Sequence, residues 1–555
     1  MKKLDPQTRY IFVSGGVMSA VGKGVTAASI SLLLKKHGFT VCPVKCENNL
    51  NVDFGTINPI EHGDPFLCHD GLEADIDLGN YERFLDQKVG FANFMTMGQL
   101  YQKVINNERS MKYEGEDVEP IPHVVDEIIR RIKEAAQNSR ADFVVIELGG
   151  TVGEYENNNG LYYEAARIMA MTESVVNVHV TYVPVPPHIG EPKTKPAQFG
   201  IKALMSMGIV PNFIVIRSEL PTDSHRKYKF ALKLHIPAVN IISCENLDSV
   251  YKVPAHLHSQ NLDHLILQYF GLKGKKQIDL SSFKQYTDKL QKNFNKSTTI
   301  AIVGKYFSTG NSSLIDSYYA LIESIRHASI FNNTNLKLKF INSDKQENSI
   351  YEDLQGVTGI IVPIGWGKRG VAGKIKAITF ARTKKIPYLG LCYGMQLAAI
   401  EFARNVASIK DADTEENNPK GKNLIIHSIP FNKKYQTIKG DGTSMRLGSF
   451  DCIIRPNTLI ESIINKHQAW KNESKRIITE RHRHRFEFNN AYRDILEKKG
   501  LVISGTSPDN FFVENIELLK AIHPFFLGTQ GHPEYESTPQ KPHPIFIEFI
   551  KATIT

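Results

Sequence analysis

The stretch Tyr10-Ile11-Phe12-Val13-Ser14-Gly15-Gly16-Val17-Met18-Ser19-Ala20-Val21-Gly22-Lys23-Gly24-Val25 decides how the first half of the chain is read. Four apolar, β-prone residues run into a glycine-rich turn, and a helical pattern starts near Val25. Glycines let backbone N–H groups close around phosphate oxygens, a helix N-terminus adds positive potential, and Lys23 supplies a point charge. The spacing departs from the common P-loop. Five residues rather than four separate Gly16 from Gly22, and Gly24 stands where a Ser or Thr usually meets magnesium. Magnesium must then be held by other oxygens. Candidates are Glu73, Asp75 and Asp77, and Glu147, which follows the apolar run Phe143–Ile146. Lys193-Thr194-Lys195-Pro196-Ala197-Gln198 reads either as a second anion site or as a solvated loop.

Working outward, short β-rich runs at Val41–Val44, Phe143–Ile146, Val175–Val183, Phe213–Ile216 and Val239–Ile242 alternate with helical patterns. Runs apolar on both faces and spaced this way predict a parallel sheet covered by helices. A polar stretch from Gly274 to Lys296 follows, and a second alternation runs through Ile300–Val303, Leu338–Ile341, Gly359–Val362 and Tyr388–Leu391. With 555 residues the chain is too long for one core. The expected fold is α/β, with two doubly wound parallel-sheet domains at 1–272 and 298–555 and a linker at 273–297.

The six cysteines form no C-x-x-C pair, which suits reduced thiols in a cytosolic enzyme. Met1-Lys2-Lys3 leads into a polar turn without a signal-peptide pattern, and no apolar run is long enough to cross a bilayer. The net charge of +9 fits nucleic acid or several polyanionic nucleotides, and charge alone decides neither.

Chemistry enters with Tyr388-Leu389-Gly390-Leu391-Cys392-Tyr393-Gly394-Met395-Gln396 and, far downstream, His532-Pro533-Glu534. A strand running into Gly-x-Cys-x-Gly describes a nucleophile elbow, which lifts the thiol to a helix N-terminus. His532 is the candidate base, and Glu534 the group that orients it. Alone, the motif also fits a buried core cysteine beside a capping glycine.

Together with Asp75-Ile76-Asp77-Leu78-Gly79-Asn80-Tyr81-Glu82-Arg83-Phe84, Glu147-Leu148-Gly149-Gly150-Thr151-Val152-Gly153, Met445-Arg446-Leu447-Gly448 and Arg481-His482-Arg483-His484-Arg485, these strings resemble the CTP synthase family along essentially the whole chain. The resemblance implies a P-loop-like amidoligase domain, followed by a class I glutamine amidotransferase domain. Its implied activity is ATP-dependent amination of UTP through a phosphorylated O4, with ammonia released from glutamine at Cys392. It implies ATP and Mg2+ as cofactors, GTP as an activator, a homotetramer, and no nucleic-acid or membrane partner. By matched position, Gly22, Lys23, Gly24, Val25, Lys45 and Asp77 would bind ATP, and Asp77 and Glu147 the metal. Ser19, Glu156, Lys193, Lys195, Gln198 and Lys229 would bind UTP or CTP. Gly365, Tyr393, Gln396, Glu416 and Arg485 would seat glutamine.

Departures from the family pattern crowd around the acceptor base. Lys233 stands for an aromatic residue, Glu119 for an amide and Glu154 for an Asp. They leave open two other readings, amination of a different or modified nucleotide and a weakened, polymer-forming nucleotide binder. In the second domain Ile364 replaces a glycine whose backbone helps build the oxyanion hole, while in the ammonia tunnel His62 is kept and Pro65 replaces a valine.

Overall fold

The computed structural model describes residues 8–16, 18–59, 63–153, 159–309, 312–313, 315–344, 347–430 and 444–554. The chain divides into two compact units, residues 1–54 with 77–288 and residues 55–76 with 289–555.

In the first unit β1 (Arg9–Gly16), β2 (Val41–Glu47), β3 (Phe94–Thr96), β4 (Phe143–Leu148), β5 (Ser174–Tyr182), β6 (Phe213–Ser218) and β7 (Ile241–Glu245) form one parallel sheet. Its order is β3-β2-β4-β1-β5-β6-β7. The central strands are buried along their length, which is why they read as unbroken apolar runs rather than alternating ones. Register then places the site: Glu147 at the end of β4 lies level with Val13 of β1 on one side and Lys45 of β2 on the other. The helix Ser281–Leu290 belongs to this unit as far as Asp288, with Phe283 and Tyr286 buried against Phe84 and Tyr251.

The second unit has a nine-stranded sheet from β8 (Lys296–Gly304), β9 (Thr334–Asn342), β10 (Gly359–Val362), β11 (Tyr388–Leu391), β12 (Arg446–Ile454), β13 (Ile477–His484), β14 (Leu501–Thr506), β15 (Val513–Leu518) and β16 (Phe526–Thr529). Its order is β9-β8-β10-β11-β16-β15-β14-β12-β13. The first five of these pair in parallel, and the rest extend the sheet in antiparallel fashion.

Residues 55–76 group with this unit rather than with the strands on either side of them in sequence. They carry a small antiparallel pair, Phe66–Leu67 with Glu73–Ala74. Two arginines of β13 hold it. Arg483 pairs with Glu73 and, at 2.9 Å, with Asp64, while Arg481 donates to the Leu67 carbonyl at 2.7 Å. Glu73, a sequence candidate for magnesium, is therefore committed to an ion pair in this unit.

Candidate active sites

In the first unit β1 passes into the glycine turn, and α1 (Lys23–Lys36) starts after Gly22, whose φ of 94° suits glycine. Lys23 folds back over the turn and donates to the Gly150 carbonyl at 2.7 Å. A Cβ on Gly15 would lie 2.6 Å from the Lys23 side chain. Gly24 has an equally specific reason: a Cβ there would lie 2.5 Å from an Asp77 carboxylate oxygen. The place of the missing Ser or Thr is thus taken by Asp77, the first residue of α2 (Asp77–Leu85).

Lys45 gathers the acids. Its Nζ lies 2.7 Å from Glu147, 2.8 Å from Asp77 and 3.1 Å from Glu47. Tyr81 donates to the other Glu147 oxygen at 2.8 Å. Burial raises the pKa of Glu147, with Lys45 opposing it; at Asp77 burial acts the same way, but Lys45 and hydrogen bonds from Lys45 and Asn80 outweigh it, so that carboxyl is lowered. Burial lowers the Lys23 amine. Such an oxygen-only set around one cation suits a hard divalent ion with few protein ligands.

The acceptor-side residues are less gathered. Gln198, in α3 (Lys195–Ser206), is buried, donates to Thr194 at 3.0 Å and accepts from Lys233 at 3.4 Å. Lys233 lies in α4 (Ser224–Leu234), where Lys229 is exposed one turn earlier. Ser19 and Lys195 are exposed, and Lys193 bonds Glu191 at 3.1 Å. Glu156, Glu154 and His62 lie outside the described residues.

In the second unit β11 ends at Leu391, and α5 (Tyr393–Asn405) begins immediately after Cys392. Cys392 has φ 52° and ψ −102°, a strained conformation for a residue with a side chain. The elbow closes tightly: a Cβ on Gly394 would come within 2.0 Å of the Val362 carbonyl oxygen. The cavity beside Cys392 is lined by Gly365, Tyr393, Gln396, Glu416 and Arg485, with Ile364 and Trp366 among the rest. The five residues matched to glutamine therefore share one cavity with the thiol. Ile364 has a φ outside the left-handed region, so the backbone there does not require glycine.

His532 and Glu534 are buried, and His532 Nδ1 lies 2.7 Å from Glu534. His532 Nε2 has no hydrogen-bond partner among the described residues, which leaves it for the chemistry. Burial opposes charge on the ring, but Glu534 and the neighbouring Cys392 outweigh it and raise its pKa to about 10. The ring is therefore held as imidazolium near neutral pH, beside the Cys392 sulfur. Glu534→Gln removes the largest stabilising charge, and glutamine hydrolysis is expected to fall on the order of 10²-fold. The raised pKa also contributes stability that is full below about 6.5 and is lost as pH rises through about 10. Thermal melts across that range should show the loss in wild type and a smaller loss in the variant. An unchanged pH dependence would remove Glu534 as the source of the shift.

The comparisons agree across the chain. The signature of the CTP synthase N-terminus spans residues 9–272, and that of class-I glutamine amidotransferases spans residues 313–552. The CTP synthase of Carboxydothermus hydrogenoformans is 44% identical over 551 residues, 99% of each chain, and that of Caldanaerobacter subterraneus subsp. tengcongensis 42% identical over 550 residues, 98% of each. The chain belongs to the CTP synthase family. Among solved structures, the glutaminase domain of a Trypanosoma brucei CTPS with bound acivicin is 34% identical over 46% of this chain and 93% of that one, with a TM-score of 0.40.

Within this CTP synthase family member, three residues at the glutaminase end are not among the sequence candidates. Gln530 donates to Cys392 Sγ at 3.4 Å and accepts from Gln396 at 3.0 Å. Lys305 and Lys374 are buried beneath the loop 363–367. A lysine within an apolar helical run is the one hint that Lys374 offers. Elsewhere His37, Asp263 and His264 have metal-like spacing, but Asp263 already accepts from His37 at 2.7 Å and His258 at 3.0 Å, as a satisfied buried carboxylate does. No helix of the described residues is long and apolar enough to cross a membrane.

Proposed function

We propose that this chain makes CTP from UTP, ATP and glutamine, with Cys392 releasing the ammonia in one unit and the β1–α1 loop of the other positioning ATP. The observation that carries this reading is the convergence of Glu47, Asp77 and Glu147 on Lys45 beside the phosphate loop, in a chain that also carries the Cys392 elbow.

On the glutaminase side, Cys392 attacks the carboxamide carbon of glutamine, and the Tyr393 N–H at the start of α5 would donate to the developing oxyanion. His532 passes its proton to the departing ammonia, while Glu534 keeps the ring oriented. Water then cleaves the thioester to glutamate. Glu416, Gln396 and Arg485 would bind the substrate's polar ends.

On the ligase side, the Gly22–Val25 backbone, Lys23 and Lys45 would hold the ATP phosphates. Asp77 and Glu147 would hold Mg2+, which when bound spreads the charge on the transferring phosphoryl group. The phosphoryl group passes to uracil O4, and ammonia displaces it as phosphate. Ser19, Glu156, Lys193, Lys195, Gln198 and Lys229 would bind the pyrimidine nucleotide. A homotetramer, activation by GTP and a cytoplasmic location complete the reading.

The test supplies ATP, magnesium and UTP with either glutamine or ammonium salt. CTP is expected from both nitrogen sources. Lys233 lies against Gln198 in place of an aromatic surface, so saturation by UTP and inhibition by CTP should both be weak. No turnover of UTP with free ammonia, alongside turnover of another nucleotide, would replace UTP as the acceptor.

A further inference from the structure

The loop Pro363-Ile364-Gly365-Trp366-Gly367 runs from the end of β10 past Cys392, and two buried lysines lie under it. Lys374, in the helix Val371–Lys384, is 0% exposed. Its amine donates to the Pro363 carbonyl at 2.9 Å and reaches the Ile364 carbonyl at 3.4 Å. Lys305, at the end of β8, donates to the Trp366 carbonyl and, at 2.9 Å, to the Gly367 carbonyl. A Cβ on Gly365 would lie 2.9 Å from both lysine side chains, which accounts for glycine at that position.

These bonds fix which way each peptide faces. In a trans peptide the N–H points opposite to the C=O. With the 363 and 364 carbonyls turned toward Lys374, the N–H groups of Ile364 and Gly365 must turn away from it. The other two N–H groups of the loop are taken: Trp366 donates to Tyr306 at 2.9 Å and Gly367 to Glu416 at 2.6 Å. Those of Ile364 and Gly365 have no partner among the described residues, and both residues line the cavity beside Cys392. An uncompensated amine is expensive to bury. Its acceptors here are two backbone carbonyls of this loop, and the face of Tyr393 lies 5.4 Å away.

We propose that Lys374 is a positioning residue of the glutaminase, which with Lys305 pins the carbonyls of residues 363, 364, 366 and 367 so that the Ile364 and Gly365 N–H groups stay aimed at the oxyanion formed at Cys392. The inference rests on Cys392 being the glutaminase nucleophile. Lys374 touches no reacting atom and acts through the peptide planes. The same arrangement makes Ile364 compatible with catalysis, since donation there needs only a backbone N–H.

The experiment compares wild type with Lys374→Met and Lys374→Gln in the full chain. Steady-state glutamine hydrolysis, ammonia-dependent CTP formation and alkylation of Cys392 by iodoacetamide are measured together. For Lys374→Met, kcat for glutamine should drop on the order of 10²–10³-fold, the size of a lost oxyanion donor, with KM within about threefold. Alkylation, which forms no oxyanion, should stay within about threefold of wild type. Lys374→Gln keeps a donor and should recover at least about tenfold of the lost kcat. If Lys374→Met loses ammonia-dependent synthesis too and so reports misfolding, Lys305→Met tests the clamp from its other end and should show the same split. A raised KM at unchanged kcat, an alkylation rate that falls with kcat, or full activity in the folded variants would each overturn the proposal. Glutamine hydrolysis that survives Cys392→Ala would instead overturn the reading beneath it.

Discussion

Cys392→Ala should lose glutamine-dependent CTP synthesis by about 10⁴–10⁶-fold while keeping synthesis from ammonium salt within about twofold of wild type. The size follows from the role: without the thiol no thioester forms, and neither His532 nor the backbone donors have an intermediate to serve. The selectivity follows from the architecture, because Cys392 belongs to the second unit and the residues matched to ATP belong to the first. The substitution is mild on structural grounds as well. Alanine fills less space than cysteine at a position 3% exposed, though it must still adopt a φ of 52°. A melting temperature close to wild type, with both activities lost, would sink the two-site reading.

Glu147→Gln is expected to act on the opposite half. Ammonia-dependent synthesis should fall on the order of 10³-fold, while basal glutamine hydrolysis stays within about threefold of wild type. Glu147 is 1% exposed, bonded to Lys45 at 2.7 Å and to Tyr81 at 2.8 Å. The amide keeps the shape and removes the charge, so Lys45 retains Asp77 and Glu47 as partners and the local fold should persist. The decisive measurement is the magnesium dependence. If Glu147 is a ligand, the variant needs more magnesium for half-maximal rate; an unchanged magnesium curve with lowered rate would remove it from the metal site.

Much of this was legible from residues alone, for physical reasons that also mark the limits. Strands buried on both faces, such as Phe143–Leu148 and Tyr388–Leu391, are recognisable because they are short, apolar and bounded by glycine or polar turns. The edge strand Phe94–Thr96 is three residues long, too short for any period to show. The antiparallel half of the second sheet is not legible in this way, because strands such as Ile477–His484, reading Ile-Ile-Thr-Glu-Arg-His-Arg-His, bury charged residues that pair with distant carboxylates. Hydropathy patterns cannot anticipate such compensation.

At the site, the glycines flanking Cys392 and the His-x-Glu spacing of 532 and 534 are local patterns that can be read as candidates, although the two patterns lie far apart in sequence. That Asp77 occupies the space left by Gly24 depends on a contact between residues 53 positions apart, and no local rule contains it. Lys374 was hidden for a related reason. Its partners are main-chain carbonyls, which every sequence possesses, so nothing in the composition of the loop advertises the need for an amine.

The path of residues 55–76 has a consequence for how this protein can be divided. A gene fragment that begins after residue 288 would encode all nine strands of the second sheet and the whole Cys392–His532–Glu534 set, yet omit the acids that neutralise Arg483. That guanidinium is 3% exposed with the peptide in place, and a fragment without Asp64 and Glu73 would lack both of its carboxylate partners. A cut at residue 288 therefore separates the carboxylates from the arginine they pair with. A transplanted or separately expressed glutaminase keeps those pairs when the 55–76 peptide is supplied in trans or spliced on by circular permutation.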